Sequence, residues 1–259
     1  MSIDFSRNAD IYDRRHGSVI SEDLVSALTK AAGLKPGQPL LDLASGTGRV
    51  ALGFARAGFV VTATDISADM LATLADKAEG IPLATQKIDG DRLPFPDESQ
   101  PAISLARVLY LIPGWQSYLS EVHRVAAPAG VLLHEWGNGV PSSPWVRYRE
   151  ELRTRLARLG HANTFHPGVR TEAEIEAYLS ELGWRCQASV PSGPGTSMTL
   201  GHFITMVETG EASYLWHVPD EIKTTLVPAM RDWASDSLGN FDQPIELPGG
   251  ACWRVYRRV

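Results

Sequence analysis

The sequence predicts an α/β fold: a doubly wound, mostly parallel sheet with helices on both faces. Two observations carry this. Short apolar, β-branched runs alternate with amphipathic helical stretches between residues 40 and 136, and turns rich in Gly and Pro separate many of them. Strands that alternate with helices in this way build βαβ units, and near-continuous apolar strands belong to a sheet buried on both sides. With 259 residues, the chain has room for one such core and an appendage, at roughly 150 residues per domain.

The elements follow in order. Leu24, Val25 and Leu28 recur at helical spacing within 21–32, and Gly33 ends the segment. A Pro/Gly turn at 35–39 leads into the run Leu40-Leu41-Asp42-Leu43 and the small-residue stretch Ala44-Ser45-Gly46-Thr47-Gly48. Val50, Leu52, Phe54 and Ala55 suit a helix that Gly58 terminates, and Phe59–Asp65 reads as a strand. Ser67 is an N-cap for a helix through Met70, Leu71 and Leu74. Strands are expected at 83–88 and 102–106, a helix at 115–125 and a fifth strand at 131–136, after the turn Pro128-Ala129-Gly130. Beyond Trp136 the rhythm breaks. Helices are expected at 145–159, 172–182 (capped by Thr171, with Glu174 completing a capping box), 196–209 and 219–238. Strands are expected at 184–190 and 251–258.

Composition narrows the function. Lys plus Arg number 24 against 30 Asp plus Glu, a formal net charge of −6, so no basic excess exists to neutralise a nucleic-acid backbone. Charged residues interrupt every apolar run well short of the ~18 residues that span a bilayer. The start, Met1-Ser-Ile-Asp-Phe-Ser-Arg, lacks the apolar stretch of a signal peptide. Cys186 and Cys252 have neither disulfide-framework nor metal-ligand spacing and read as small core residues. A soluble, cytoplasmic, ordinary globular protein is the expectation.

Residues 40–65 carry the chemistry. A strand ends near Asp42, a small-residue turn follows, and a second strand ends in Asp65. Gly46 and Gly48 allow backbone angles and a ligand approach that a Cβ would block. An acid at the end of the second strand can bind both hydroxyls of an adenosine ribose. The dinucleotide pattern Gly-x-Gly-x-x-Gly fails on Ala44, Gly46 and Arg49. Shifted by two, Gly46, Gly48 and Ala51 satisfy its looser form, but late after the strand, so a nicotinamide cofactor is disfavoured and stays open.

Leu40 through Gly48 resembles motif I of the class I S-adenosylmethionine (SAM)-dependent methyltransferases, in particular their small-molecule branch (methyltransferase type 11-like). The resemblance covers about residues 8–136 and implies a seven-stranded sheet ending in an antiparallel hairpin. It places Ala44 at the family's first motif glycine. Asp65, followed by Ile66, becomes the ribose-binding acid, and Met70 lies in the stretch flanking adenine. Asp89 and Gly90 fall in the segment that contacts the adenine amino group, with Asp91 as fallback. Arg107 lies in the loop beneath the methionine part, and Tyr12 in a helix that closes over it. The organisation implied is one domain over 1–259, with an N-terminal helical cap at 1–32 and a cofactor-binding core at 40–136. Helical insertions at 137–170 and 191–245 would form a substrate lid.

For the chemistry itself, His134 in His134-Glu135-Trp136 ends the fifth strand on the edge where α/β sheets bind ligands. His134 and His16 are candidate general bases, with an unperturbed pKa suited to the task; His166 is a third. A satisfied polar pair is the rival reading of His134, and a surface residue that of His16. The Arg-rich stretch 147–158 reads as a solvated helix face. Trp145, Tyr148, Tyr178, Trp184, Tyr214 and Trp216 suit a lid or a plain core equally. A SAM-binding protein or non-methylating enzyme on the same fold, and more remotely a nucleotide-dependent oxidoreductase, are the alternatives.

Overall fold

The computed structural model describes residues 18–88, 92–136, 143–161, 167–193, 197–216, 218–246 and 252–259. Tyr12, His16, Asp89, Gly90, Asp91 and His166 lie outside the described residues.

Helix α1 (Glu22–Ala32) starts where the Ser21 side chain accepts the Leu24 N–H, and ends at Gly33 in the left-handed region. Strands β1 (Pro39–Leu43), β2 (Val60–Asp65), β3 (Leu83–Lys87) and β4 (Gln100–Ala106) alternate with α2 (Ala51–Arg56) and α3 (Ala68–Lys77). Next come α4 (Trp115–Val125), β5 (Ala126–Glu135), α5 (Pro144–Arg158), α6 (Glu172–Glu181) and β6 (Trp184–Pro191). The chain ends with β7 (Ser197–Thr199), α7 (Leu200–Glu208), α8 (Asp220–Leu238), β8 (Pro244–Glu246) and β9 (Cys252–Arg258).

Seven strands form one sheet in the order β3-β2-β1-β4-β5-β9-β6. The pairs from β3 to β5 are parallel, and β9 lies antiparallel between β5 and β6. Alternation sorts the side chains to two faces. Leu40, Val61, Ala63, Leu133 and Val255 pack with Leu28, Phe54 and Leu74 of α1, α2 and α3. Leu41, Leu43, Ile103, Leu105, Leu132 and Tyr256 pack with Leu119, Val122, Ile175 and Leu179 of α4 and α6. The sheet is doubly wound, as expected.

Two details depart from the sequence reading. β5 begins at Ala126 because its backbone already pairs with Gln100, and the expected turn at 128–130 survives as an irregularity in the register. Thr171 caps α6 by accepting the Glu174 N–H, yet it donates its hydroxyl to the Glu174 carboxylate at 2.7 Å, so the capping box is not the reciprocal one.

The described residues divide into two compact units: those within 18–136, 168–192 and 252–259 carry the seven-stranded sheet, and those within 143–167 and 193–246 form the other. The second unit has its own core, in which Tyr148 meets Phe203 edge-on at 5.6 Å and Trp145, Leu152, Ile204 and Met230 are buried. Trp145, Tyr148 and Phe203 are therefore taken up by packing. The helix expected over 196–209 starts later, because Ser197–Thr199 pairs with Pro244–Glu246 and Thr199 then caps α7. The Arg-rich helix α5 is only partly solvated. Arg155 pairs with Glu151 at 2.7 Å, whereas Arg149 is buried with its guanidinium 5.0 Å from the Trp145 ring centroid. Tyr178 and Trp184 pack in the other unit, around α4 and α6. No helix among the described residues is long and apolar enough to cross a membrane. No cluster of His, Cys, Asp and Glu able to hold a metal ion occurs among them either.

Candidate active site

In an open α/β sheet, ligands bind at the carboxyl edge where the strand order reverses. Here the reversal falls between β1 and β4: successive strands run outward through β2 and β3 on one side and through β5 on the other. The register places Asp42 of β1 directly beside Ser104 of β4. The Ser104 hydroxyl donates to Asp42 Oδ1 at 2.6 Å, while Oδ2 is buried without a hydrogen-bond partner among the described residues. Asp42 is 1% exposed. Burial pushes its carboxyl up to about 6, against the pull of its hydrogen bonds.

Above Asp42 the chain makes a tight turn. Ser45 ties it down by donating its hydroxyl to the Asp42 carbonyl at 2.8 Å and accepting the Thr64 N–H at 3.0 Å. Ala44, Gly46 and Gly48 all adopt left-handed φ, of 53°, 54° and 91°. An alanine in that region costs roughly 1–2 kcal/mol, which explains why glycine suits the first position.

Asp65 closes the turn from β2. Its Oδ2 accepts the Gly46 N–H at 2.8 Å and its Oδ1 the Ser67 N–H at 2.9 Å. A carboxylate has about four acceptor positions, so two remain for hydroxyl donors. Burial raises its pKa above the usual carboxylate range, and the backbone N–H groups oppose that rise. Ile66 beside it is 44% exposed, an apolar surface next to the acid. Ser67 caps α3, which buries Met70 two residues inside. A half-buried acid with acceptor positions left over, an exposed apolar side chain beside it and a left-handed turn tied to it are thereby set side by side. The structure thus brings Asp42, Ala44, Gly46, Gly48, Asp65, Ile66 and Met70 together.

Asp42 carries a pH-dependent expectation. Its pKa of about 6 in the folded protein stands above its ordinary 3.8, so the unfolded chain loses its proton first as pH rises. The contribution of Asp42 to stability is full below about pH 4 and falls by about 2–3 kcal/mol by pH 6 and above. Asp42→Asn is expected to remove that slope, leaving the unliganded protein more stable at pH 7.5, while weakening binding of cationic SAM. Thermal unfolding from pH 4 to 8, with and without SAM, checks both.

The end of β5 differs from the sequence expectation. His134 is 1% exposed on the face covered by α4 and α6. Burial drives its pKa down to about 4, against the opposing pull of Glu172 and Glu135. Such a buried imidazole is neutral near pH 7 and a weak base, which favours the rival reading of His134 as a core histidine over its role as general base. Glu135 faces the other way and is fully buried. Arg49 binds it with Nη1–Oε2 at 2.7 Å and Nη2–Oε1 at 3.0 Å. Arg107 adds Nε–Oε2 at 3.0 Å and Nη2–Oε1 at 3.1 Å, and Ser192 donates to Oε1 at 2.8 Å. Burial pushes the Glu135 pKa up, but the two arginines outweigh it and hold the group below the usual range. Arg107 sits at φ 54°, a left-handed strain held by this network.

Sequence reading missed Arg49, Ser104, Ser192 and Tyr118. Arg49 was visible only as an obstacle to a glycine pattern, and Ser104 as an ordinary strand residue. Tyr118, half-buried on α4, has its pKa raised by burial and then by the Asp65 and Asp42 charges.

Residues 41–134, which span β1 to the end of β5, match the family model described as "Methyltransferase domain". A demethylmenaquinone methyltransferase from Streptomyces avermitilis is 30% identical over 169 residues, covering 61% of this chain and 72% of that protein. The YcgJ protein from Bacillus subtilis superposes with a TM-score of 0.62 at 19% identity, over 92% of this chain and all of its own. A Haemonchus contortus phosphoethanolamine N-methyltransferase 2 bound to S-adenosylhomocysteine (SAH) gives a TM-score of 0.57 at 15% identity, over 98% of this chain and 57% of its own. Identity sustained over most of a methyltransferase's length, on a fold that these solved structures share, means that the chain belongs to the class I SAM-dependent methyltransferase family, enzymes that carry a methyl group from SAM to an acceptor.

Proposed function

We propose that the protein methylates a small acceptor by in-line displacement, with positioning as the main source of catalysis. The observation that carries this reading is the pairing of Asp65 with the Gly46 and Ser67 N–H groups, which fixes its carboxylate against a turn at the switch point. SAM supplies an electrophilic methyl group on a sulfonium. Asp65 would hold the ribose, Ile66 and Met70 would flank the adenine, and the turn at Ala44–Gly48 would admit the methionine part. Asp42 lies under the turn and supplies negative charge there. Alignment of nucleophile, methyl and sulfur in a site that excludes water lowers the barrier of such a displacement without a proton transfer. Asp89, Gly90 and Tyr12 keep their proposed cofactor roles, and Arg107 acts through the loop after β4.

His134 is buried, so a carbon or nitrogen acceptor, which needs positioning alone, fits the described residues best, and an un-ionised oxygen acceptor would draw on His16 or His166 as its base. The Streptomyces relative makes demethylmenaquinone the first acceptor to assay, followed by quinols, phenols and amines. Both chain segments of the second unit leave the sheet unit after the carboxyl ends of β5 and β6, and they carry no cofactor motif; acceptor choice is assigned to them. Incubation with methyl-labelled SAM and mass spectrometry of the extract tests the reading. Labelled acceptor supports it, and SAM binding with no methylated product from any acceptor class favours a non-methylating role.

Replacing the His134 ring separates catalysis from packing. His134→Gln is expected to keep kcat within about 2-fold, with no loss of a titration near pH 6–7 from the rate profile, and to shift Tm instead. A loss of about 100-fold or more in kcat, the size of a lost general base, would restore the base assignment.

A further inference from the structure

Four segments of the sheet unit meet at one carboxylate. Arg49 follows Gly48 in the cofactor turn, Arg107 follows β4, Ser192 follows β6, and Glu135 ends β5. The Arg107 N–H also donates to the Glu135 carbonyl at 2.9 Å. Glu135 is fully buried, whereas the Arg49 and Arg107 side chains are 19% and 27% exposed. Two guanidiniums and one carboxylate leave the cluster with one net positive charge, at the root of the turn assigned to the cofactor. The donor and the product of methyl transfer differ in charge. SAM carries a sulfonium and SAH a neutral thioether, so SAM has one more positive charge than the product it leaves.

We propose that Glu135 is a positioning residue that sets the preference between SAM and SAH by neutralising one of the two arginines beside the cofactor turn. The inference rests on the cofactor placement given under Proposed function. Glu135 reaches neither donor nor acceptor. It keeps the positive potential at the turn low enough for a cationic donor to enter, and it holds the turn to the loop after β4. Loss of its charge disfavours SAM more than SAH, and so deepens product inhibition. Loss of one arginine does the reverse. A unit charge about 10 Å away, at an effective dielectric of roughly 20–40, changes a binding constant about 4- to 15-fold.

Calorimetric titration of SAM and of SAH into the full-length wild-type protein and three variants tests this, with Tm measured alongside. Glu135→Gln is expected to raise the ratio Kd(SAM)/Kd(SAH) about 4- to 15-fold. Arg49→Gln is expected to lower it by a similar factor, and the double variant, whose cluster again carries one positive charge, to return it to the wild-type value. A purely structural role would weaken both ligands together and leave the ratio unmoved. Ratios constant within about 2-fold across the variants would overturn the proposal. If Glu135→Gln fails to fold, Arg49→Gln alone decides by its sign. Wild-type protein that binds neither ligand would instead strike the cofactor placement itself, so the two failures are distinguishable.

Discussion

Asp65→Ala is expected to raise the Kd for SAM by about 30- to 1,000-fold while the protein stays folded. The range corresponds to about 2–4 kcal/mol, the loss of one or two hydrogen bonds to a charged acceptor. The variant also removes the acceptor for the Gly46 and Ser67 N–H groups. Gly46 is half-buried, where water can replace the carboxylate, whereas Ser67 is buried, so the stability cost is expected at about 1–3 kcal/mol. Asp65→Asn keeps one carbonyl acceptor and should fall between wild type and alanine. Calorimetry with SAM and SAH, read beside Tm, checks the pair. Because the ribose is common to both ligands, both affinities should drop together, unlike the ratio change expected for Glu135. Affinity that survives in Asp65→Ala would remove the ribose assignment.

Gly48→Ala is expected to destabilise the protein by about 2–5 kcal/mol and to weaken SAM binding with it. Two costs combine. Gly48 has φ 91°, where an alanine pays roughly 1–2 kcal/mol. A Cβ there would stand 2.1 Å from Leu74 Cδ1 and 3.1 Å from Leu52 Cδ1. Leu74 is wholly buried, so it can move only by disturbing the packing of α3, at about 1–3 kcal/mol. Gly37→Ala is the control. Gly37 has φ 87° but nothing within 4 Å of a built Cβ, so only the backbone cost should appear. Chemical denaturation of the two variants separates strain from crowding: a Gly48→Ala variant no less stable than Gly37→Ala would contradict the crowding.

The sheet and its cofactor turn were legible because their signals are local. Strand-length apolar runs, Ser67 as a cap, the glycine turn and an acid ending β2 each depend on residues within a few positions of one another. The strand at 197–199 was hidden by an equally local signal. Leu200, Phe203, Ile204 and Val207 have helical spacing, and only pairing with Pro244–Glu246, some 45 residues on, stops the helix at Leu200. The burial of His134 at the end of β5 was hidden for a related reason. A histidine on a sheet edge has a useful pKa in isolation, but the burial that removes it comes from α4 and α6. Arg49 and Glu135 stand 86 residues apart, and no pattern in the sequence joins them. Charge pairs of this range are visible only once the register of the sheet is known. Tyr12, His16, Asp89 and Gly90 stand on the family resemblance.

Titration of the purified wild-type protein with SAM, SAH and NADH in a calorimeter tests the cofactor site most directly. Binding of SAM and SAH in the micromolar range, at one site per chain and with no heat from NADH, is the expected result. Binding of NADH without SAM would contradict the reading of the turn after β1, and the roles assigned to Asp42, Gly46 and Asp65 would fall with it.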